Sequence, residues 1–104
     1  LTVLVDYNKL QSYGRTSEVC DLEPFLDKWR SFGFSAREVD GHDVNALQLC
    51  LNDLPFEKSK PNVIICHTVK GKGFAFAEGQ AAWHHKSHFD ESQIRLLHAA
   101  LEQS

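Results

Sequence analysis

The chain has 104 residues, of which 42% are hydrophobic, and this suits one domain with a modest core, or part of one. Its formal net charge of -3 provides no global positive field, which argues against nucleic acid or an anionic membrane as a partner. Three widely spaced cysteines favour reduced thiols and a cytoplasmic setting. Because no apolar run approaches the roughly 20 residues of a membrane span, a soluble protein is predicted.

The opening residues 2–7 have the apolar, β-branched pattern of a buried strand, and the sequence contains no methionine. A domain rarely begins inside a core strand without lead residues. We therefore expect a fragment of a longer protein, with N-terminal processing as the alternative. Residues 8–17 follow as a loop of turn formers without periodicity.

The next segment predicts a helix, a strand and a second helix. Apolar residues at the helical period predict a first helix that is capped by Asp21 and stopped at Gly33. Residues 36–39 form a short strand, and the turn 40–43 leads into a helix capped by Asp43. The apolar face of this second helix comprises Val44, Leu47, Cys50, Leu51 and Leu54.

Residues 62–68 are predicted to form the central strand, because their apolar run suits burial on both faces of a parallel sheet. After a long loop, Asp90 starts the last helix, and Gln93 can complete a capping box there. The buried side of this helix is predicted to carry Ile94, Leu97, His98 and Leu101. This alternation predicts an α/β fold, a parallel sheet with helices on both faces.

Asn8 follows the first strand, at the end where open α/β sheets present their ligand sites. Its carboxamide oxygen and the backbone carbonyl of Leu10 can point the same way and hold a hard cation such as magnesium. The alternative is that Asn8 only caps a turn, which asparagine often does.

The sequence Lys70-Gly71-Lys72-Gly73 lacks the spacing of a Walker loop or a dinucleotide fingerprint. It offers glycine backbones that can approach a ligand and lysines that can neutralise phosphate oxygens. A solvated basic turn is the alternative. A small phosphate-binding module of another α/β family would need a helix directly behind the glycines.

The adjacent histidines His84 and His85 diverge in direction, so a zinc site is not favoured. A histidine near a phosphate or a reacting hydroxyl can serve as proton donor, since its pKa lies close to neutral. His42 is assigned to the turn around it, and His67 is left without a role. Cys66 has the pattern of a buried apolar residue, not of a nucleophile.

Four segments, VDYNKLQSYG, VDGHD, HTVKGKG and WHHK, resemble in order and spacing the second half of the thiamine-diphosphate-binding domain of the transketolase family. The resemblance covers nearly all of the chain, which it makes a single partial domain over residues 1–104 of the N-terminal part or N-terminal subunit. It implies a two-carbon ketol transfer between sugar phosphates, with thiamine diphosphate carrying the carbon chemistry. It also implies that the partner is a pyrimidine-binding domain or subunit, in a homodimer or heterotetramer.

The same resemblance assigns site residues. Asn8 and the carbonyl of Leu10 match the ligands of the metal, Mg2+ or Ca2+, on the diphosphate. The Gly-Asp-Gly that starts this signature is absent here and is expected about thirty residues upstream, a distance that fits one βαβ unit. Lys70 matches the lysine beside the cofactor, and Val69 supplies an apolar contact. Alone, the chain is expected to be inactive.

The family sequence Trp-His-Gly matches Trp83-His84-His85, which makes His84 the cofactor-binding and catalytic histidine. His85 stands where the family has glycine, at a position where the backbone can turn sharply. Related 1-deoxyxylulose-5-phosphate synthases would align His85 with that histidine instead. An α/β protein-interaction domain without catalysis, which uses the Lys/His loop as its contact, is a further alternative.

Overall fold

The computed structural model describes residues 1–103, which form an α/β fold as the sequence predicts. The elements in chain order are strands β1 (Thr2–Tyr7), β2 (Leu10–Gln11) and β3 (Gly14–Arg15), helices α1 (Thr16–Val19) and α2 (Phe25–Ser31), strand β4 (Ser35–Asp40), helix α3 (Val44–Asn52), strand β5 (Asn62–His67) and helix α4 (Glu91–Glu102). None of the helices in this part of the chain is long and apolar enough to cross a membrane.

A three-stranded parallel sheet of order β1-β5-β4 organises the structure. The central position of β5 confirms the prediction from its apolar run, since Val63, Ile64 and Ile65 are 0% exposed. Burying each such side chain contributes about 1.5–3 kcal/mol. His67 lies opposite both Tyr7 and Asp40, so the carboxyl ends of all three strands meet at one edge.

The two faces of the sheet are covered by different helices. On one face, residues of α2 and its flanks pack against side chains of the sheet: Val3, Val5, Tyr7, Leu22, Phe25, Leu26, Trp29, Phe34, Ala36, Val63 and Ile65. On the other face α3 lies against β4, and Arg37 of β4 reaches Asp53 at the end of α3, with Nη1 to Oδ2 at 2.5 Å. The prediction of helices on both faces is therefore confirmed.

Strand β1 is covered on one face only. Its side chains that point towards α2 are shielded, whereas Leu4 on the opposite face is 54% exposed. Residues 8–17 were expected to be a loop without regular structure, and this was wrong. They form a short antiparallel hairpin of β2 and β3, followed by the single turn of α1.

The predicted cap of the first long helix is also wrong. Helix α2 begins at Phe25 with Pro24 at its N-cap and has no side-chain cap. The reason is that a residue before proline is disfavoured in the helical conformation, so the helix cannot include Glu23. Asp21 instead accepts a hydrogen bond from the Glu23 amide at 3.1 Å. Gly33, with φ of 88°, ends the helix as predicted.

The caps of the two later helices are confirmed. Asp43 accepts a hydrogen bond from the Ala46 amide at 2.9 Å at the start of α3. Asp90 and Gln93 form a reciprocal capping box at the start of α4. These signals depend only on residues three apart in sequence, which is why they could be predicted.

The predicted apolar faces of α3 and α4 are buried only in part. Val44 of α3 is 74% exposed because the helix packs against an edge strand of a narrow sheet. In α4, Ile94 and Leu101 are 43% and 60% exposed, and His98 is exposed as well. The prediction of a buried side was wrong for these residues, because α4 makes no extensive contact with the sheet within residues 1–103.

Candidate functional site

The carboxyl ends of the three parallel strands open onto a cleft of about 1030 Å³. Its lining residues come from the segment after β1, the turn after β4 and the loop after β5: Asn8, Lys9, Leu10, Arg15, Asp40, His42, Asp43, Val44, His67, Thr68, Val69, Lys70, Lys72 and Gly79. Of the residues predicted from the sequence, Asn8, Leu10, Val69 and Lys70 thus lie together. His84 is not among the residues that line this cleft.

Asn8 forms a turn directly after β1. Its Oδ1 atom accepts a hydrogen bond from the Leu10 amide at 2.9 Å, and Lys9 between them has φ of 63°. The turn-capping alternative is therefore realised. A carboxamide oxygen has two lone pairs, so Oδ1 keeps one acceptor position for another partner.

His42 connects the turn after β4 with the loop after β5. Its Nε2 atom accepts a hydrogen bond from the Val69 amide at 2.8 Å, which makes it a neutral ring that is protonated on Nδ1. Gly41 lets this approach happen, since a Cβ atom there would lie 2.5 Å from Thr68 Cγ2. The sequence predicted a turn role for His42 and gave no sign of its contact with the cleft loop.

The Gly/Lys loop folds back on itself after β5. Gly71 has φ of 75°, and a Cβ atom there would lie 2.8 Å from the carbonyl oxygen of Ala77. The Gly79 amide donates to the Lys70 carbonyl at 2.9 Å, and Glu78 accepts from the Gly73 amide at 3.1 Å. Turns, not a helix, follow these glycines, so the condition for a phosphate-binding module of another family is not met.

The two lysines of this loop differ in their surroundings. The Nζ atom of Lys72 lies 3.9 Å from Oε1 of Glu78, a long ion pair. The Lys70 side chain has no carboxylate or hydrogen-bond partner within residues 1–103, although it lines the cleft and is half-buried. Lys70 therefore supplies a positive charge that a bound anion can neutralise.

His84 ends a single 3₁₀ turn, Ala81–Trp83, in the loop before α4. Its Nδ1 atom is buried and lacks a hydrogen-bond partner in the described part of the chain. Burial lowers the pKa of His84 from its ordinary value, and the nearby charges of His85 and Lys70 lower the pKa further. His84 is consequently a neutral imidazole whose Nδ1 atom has no hydrogen-bond partner in the described part of the chain. The positive charge of Lys70 helps to keep the ring neutral.

Trp83 anchors the histidine segment. Its ring lies between those of Phe76 and Phe89, with centroid distances of 5.4 and 5.8 Å. The ammonium group of Lys86 lies 5.1 Å from the centre of the same ring. The tryptophan of the WHHK segment therefore fixes the end of this 3₁₀ turn, directly before His84.

Replacing His85 by glycine should raise the free energy of unfolding by about 1 kcal/mol, because His85 has φ of 60°, a conformation that favours glycine. Urea unfolding of the chain measures this. His88→Gly in the same segment is the control, since His88 is not among the residues with positive φ and its replacement should destabilise. Equal losses in both variants would contradict the assignment of strain to His85.

Three further polar residues of the cleft region were missed by sequence reasoning. Lys9 Nζ lies 2.6 Å from His67 Nδ1, and His67 Nε2 lies 3.0 Å from Glu38 Oε1. These residues come from three separate strand regions, and no local pattern in the sequence links them. The available signal was only that Lys9 and His67 each stand at the end of a predicted strand.

No group of three or more His, Cys, Asp or Glu side chains within residues 1–103 is placed to hold a metal ion. Cys66 is buried, and burial, with smaller effects of Cys50 and Asp6, raises the pKa of its thiol. Cys66 therefore stays protonated at neutral pH and is a packing residue, as predicted.

A family model described as the thiamine diphosphate binding domain of transketolase matches residues 1–103. The 6-deoxy-6-sulfo-D-fructose transketolase subunit of Clostridium sp. (strain MSTE9) is 40% identical over 84 residues, which cover 81% of this chain and 30% of that protein. An apulose-4-phosphate transketolase subunit of Phocaeicola vulgatus is 38% identical over 85 residues, which cover 82% and 30% of the two chains.

A 1-deoxy-D-xylulose-5-phosphate synthase of Cytophaga hutchinsonii is 52% identical over 56 residues, which cover 51% of this chain and 8% of that protein. The match to the two transketolase subunits is longer and covers more of this chain. The chain nevertheless spans only about 30% of the length of those subunits.

Proposed function

The chain belongs to the transketolase family, whose thiamine diphosphate binding domain matches residues 1–103, and we propose that it is part of an enzyme that transfers a two-carbon ketol unit between sugar phosphates. The observation that carries this proposal is the grouping of Asn8, Leu10, Val69 and Lys70 around one cleft at the carboxyl edge of the sheet. In open α/β sheets this edge is where ligands bind.

Several features of the cleft region fit the diphosphate of thiamine diphosphate. The Lys70 charge lacks a protein partner within residues 1–103, and the turn at Gly71 leaves no room for a side chain. Lys70 would donate to phosphate oxygens, while the apolar side chain of Val69 would contact the body of the cofactor. When bound, thiamine diphosphate supplies the carbanion chemistry that the side chains of this chain lack.

The metal site is proposed to be a partial one. Asn8 Oδ1 keeps one free acceptor position, and the carbonyl of Leu10 adds a second hard oxygen for Mg2+ or Ca2+. Magnesium usually takes its other ligands from phosphates and water. We propose that a carboxylate from a Gly-Asp-Gly segment outside this sequence completes the set, the chain being one part of the diphosphate-binding domain.

His84 is proposed to act on protons at the substrate side of the cofactor. Its lowered pKa keeps the ring neutral near pH 7, so one nitrogen can accept a proton from a substrate hydroxyl and the ring can return it. The unpaired, buried Nδ1 atom supports this role, because such an atom gains a partner when a ligand binds. His85 does not have this feature.

The partner is proposed to be a pyrimidine-binding domain or subunit, in a homodimer or heterotetramer in the cytoplasm. Two relatives are named as transketolase subunits, which supports an assembly of more than one chain. The substrates would be sugar phosphates. A domain that binds a partner protein without catalysis would show no requirement for the cofactor, and this separates the two hypotheses.

Replacing Asn8 by alanine should weaken Mg2+ binding to the assembly in the presence of thiamine diphosphate by about 10-fold or more, because it removes a ligand oxygen. Asn8→Asp keeps the acceptor for the Leu10 amide and should retain the metal. Calorimetry of the chain together with its partner measures both. Asn45→Ala on the exposed side of α3 is the control. An unchanged Mg2+ affinity in Asn8→Ala would overturn the metal assignment.

A further inference from the structure

A chain of polar contacts connects the carboxyl ends of all three parallel strands beside the proposed metal turn. Glu38 on β4 contacts His67 on β5, with Oε1 and Nε2 3.0 Å apart. His67 in turn contacts Lys9 after β1, with Nδ1 and Nζ 2.6 Å apart. None of these residues belongs to the set that the family resemblance assigns.

The hydrogen-bond donors and acceptors among Lys9, His67 and Glu38 can be assigned from chemistry alone. An ammonium group only donates, so His67 Nδ1 must accept from Lys9, and the ring proton resides on Nε2. That proton is donated to the carboxylate of Glu38. Glu38 therefore fixes both the tautomer and the orientation of His67, and His67 presents a lone pair to Lys9.

Lys9 is held at two further points. Its ammonium group donates to the carbonyl oxygen of Tyr7 at 2.9 Å and lies 4.5 Å from the centre of the Tyr7 ring. Tyr7 is 5% exposed and belongs to the core. These contacts hold the half-buried side chain of Lys9 back against Tyr7.

The backbone of Lys9 is in an unfavourable conformation. Its φ of 63° is one that residues other than glycine rarely adopt, and it persists only where the surroundings impose it. Lys9 lies between Asn8 and Leu10, whose hydrogen bond spans it at 2.9 Å. The direction in which the two oxygens of this turn point therefore depends on the conformation of Lys9.

We propose that Glu38, His67 and Lys9 are positioning residues that hold the turn from Asn8 to Leu10 in its left-handed conformation, so that its two oxygens face the divalent metal. This inference rests on the proposed metal role of that turn. Contacts of this kind behind the ligands of a metal typically change its affinity by about 10- to 100-fold when they are removed.

The experiment uses the complete assembly, with Mg2+ titrated in the presence of thiamine diphosphate and followed by calorimetry. Lys9→Met keeps the stem of the side chain and removes its charge, whereas His67→Phe keeps the ring beside Tyr7 and removes both nitrogens. Each should raise the Kd for Mg2+ about 10-fold. The double variant should raise it no further than the single variants do, because both changes break the same connection.

Glu38 provides variants that leave Lys9, His67 and the core in place. Its side chain is 46% exposed, so neither replacement should prevent folding. Glu38→Gln can still accept a hydrogen bond from Nε2 of His67 and should keep nearly the original Kd, whereas Glu38→Leu should raise the Kd several-fold. The controls Lys28→Met on α2 and His98→Phe on α4 change exposed residues away from the cleft.

The outcomes separate this inference from the proposed function. If the unaltered assembly fails to bind Mg2+ with the cofactor, both are overturned. If it binds while Lys9→Met and His67→Phe retain its affinity, only the positioning role is overturned. Losses that multiply to about 100-fold in the double variant would also overturn it, since independent effects add in free energy. A role limited to joining strands would lower stability in urea and leave the Kd for Mg2+ unchanged.

Discussion

Replacing His84 by alanine should lower the kcat of the complete assembly by about 100-fold or more, the usual contribution of a proton-transferring side chain. The affinity for thiamine diphosphate should fall by a smaller factor, because Lys70, Asn8 and Leu10 remain in the cleft. The physical reason is that His84 combines a buried, unpaired Nδ1 atom with a neutral ring. Steady-state kinetics and a binding titration on the same variant separate the two effects.

The lowered pKa of His84 adds a dependence on pH. An ordinary histidine is half protonated near pH 6.5, whereas His84, with its pKa lowered by burial, should be less than half protonated at that pH. Activity that needs the neutral ring should therefore persist below pH 6.5 and fall only as the pH passes the lower pKa of the folded state. The folded state binds this proton less readily than the unfolded state. The free energy of unfolding should therefore fall as the pH drops from about 6.5, the ordinary pKa, to the lower pKa of the folded state.

Two variants test whether the effect belongs to His84. His98→Ala on α4 changes an exposed histidine away from the cleft and should leave kcat unchanged. His85→Gly restores the family residue and should also keep kcat. The opposite pattern, with activity lost in His85→Gly and kept in His84→Ala, would contradict the assignment and favour the alignment of 1-deoxyxylulose-5-phosphate synthases.

The parts of the fold that could be predicted are those encoded by neighbouring residues. The apolar run of β5, the cap at Asp43 and the capping box at Asp90 each depend on a few consecutive positions, and all three occur in the structure. The start of α2 was misplaced because the effect of Pro24 on Glu23 outweighed the capping preference of Asp21. A local pattern also cannot show whether a helix face becomes buried, and Ile94 on α4 remains 43% exposed.

The candidate site divides in the same way. The sequence indicated Asn8, Lys70 and Lys72 of the cleft because they follow predicted strands, and parallel strands end at one edge. The contact between His67 and Lys9 joins residues 58 positions apart and depends on the order of the strands in the sheet. The sequence predicted the central place of β5, but not which side chains from the three strand ends would meet, so this contact could not be predicted.

Replacing Gly71 by alanine should have the largest effect on the loop that carries Lys70. Its φ of 75° costs about 1 kcal/mol for a residue with a side chain. The new Cβ atom would also lie 2.8 Å from the carbonyl oxygen of Ala77, which is backbone and cannot rotate away. Overpacking of this kind costs about 1–3 kcal/mol more. We expect the loop to open locally and to lose the hydrogen bond from the Gly79 amide to the Lys70 carbonyl.

The matched control is Gly73→Ala. Gly73 has a similar φ of 95°, but a Cβ atom there would meet no atom within 4 Å. This variant should therefore show only the strain of about 1 kcal/mol. Hydrogen exchange of the Gly79 amide reports loop opening directly, because this amide donates to the Lys70 carbonyl at 2.9 Å. Faster exchange and weaker binding of thiamine diphosphate are expected in Gly71→Ala well beyond the values for Gly73→Ala. Equal behaviour would mean that the close approach of Gly71 to Ala77 does not hold Lys70 at the cleft.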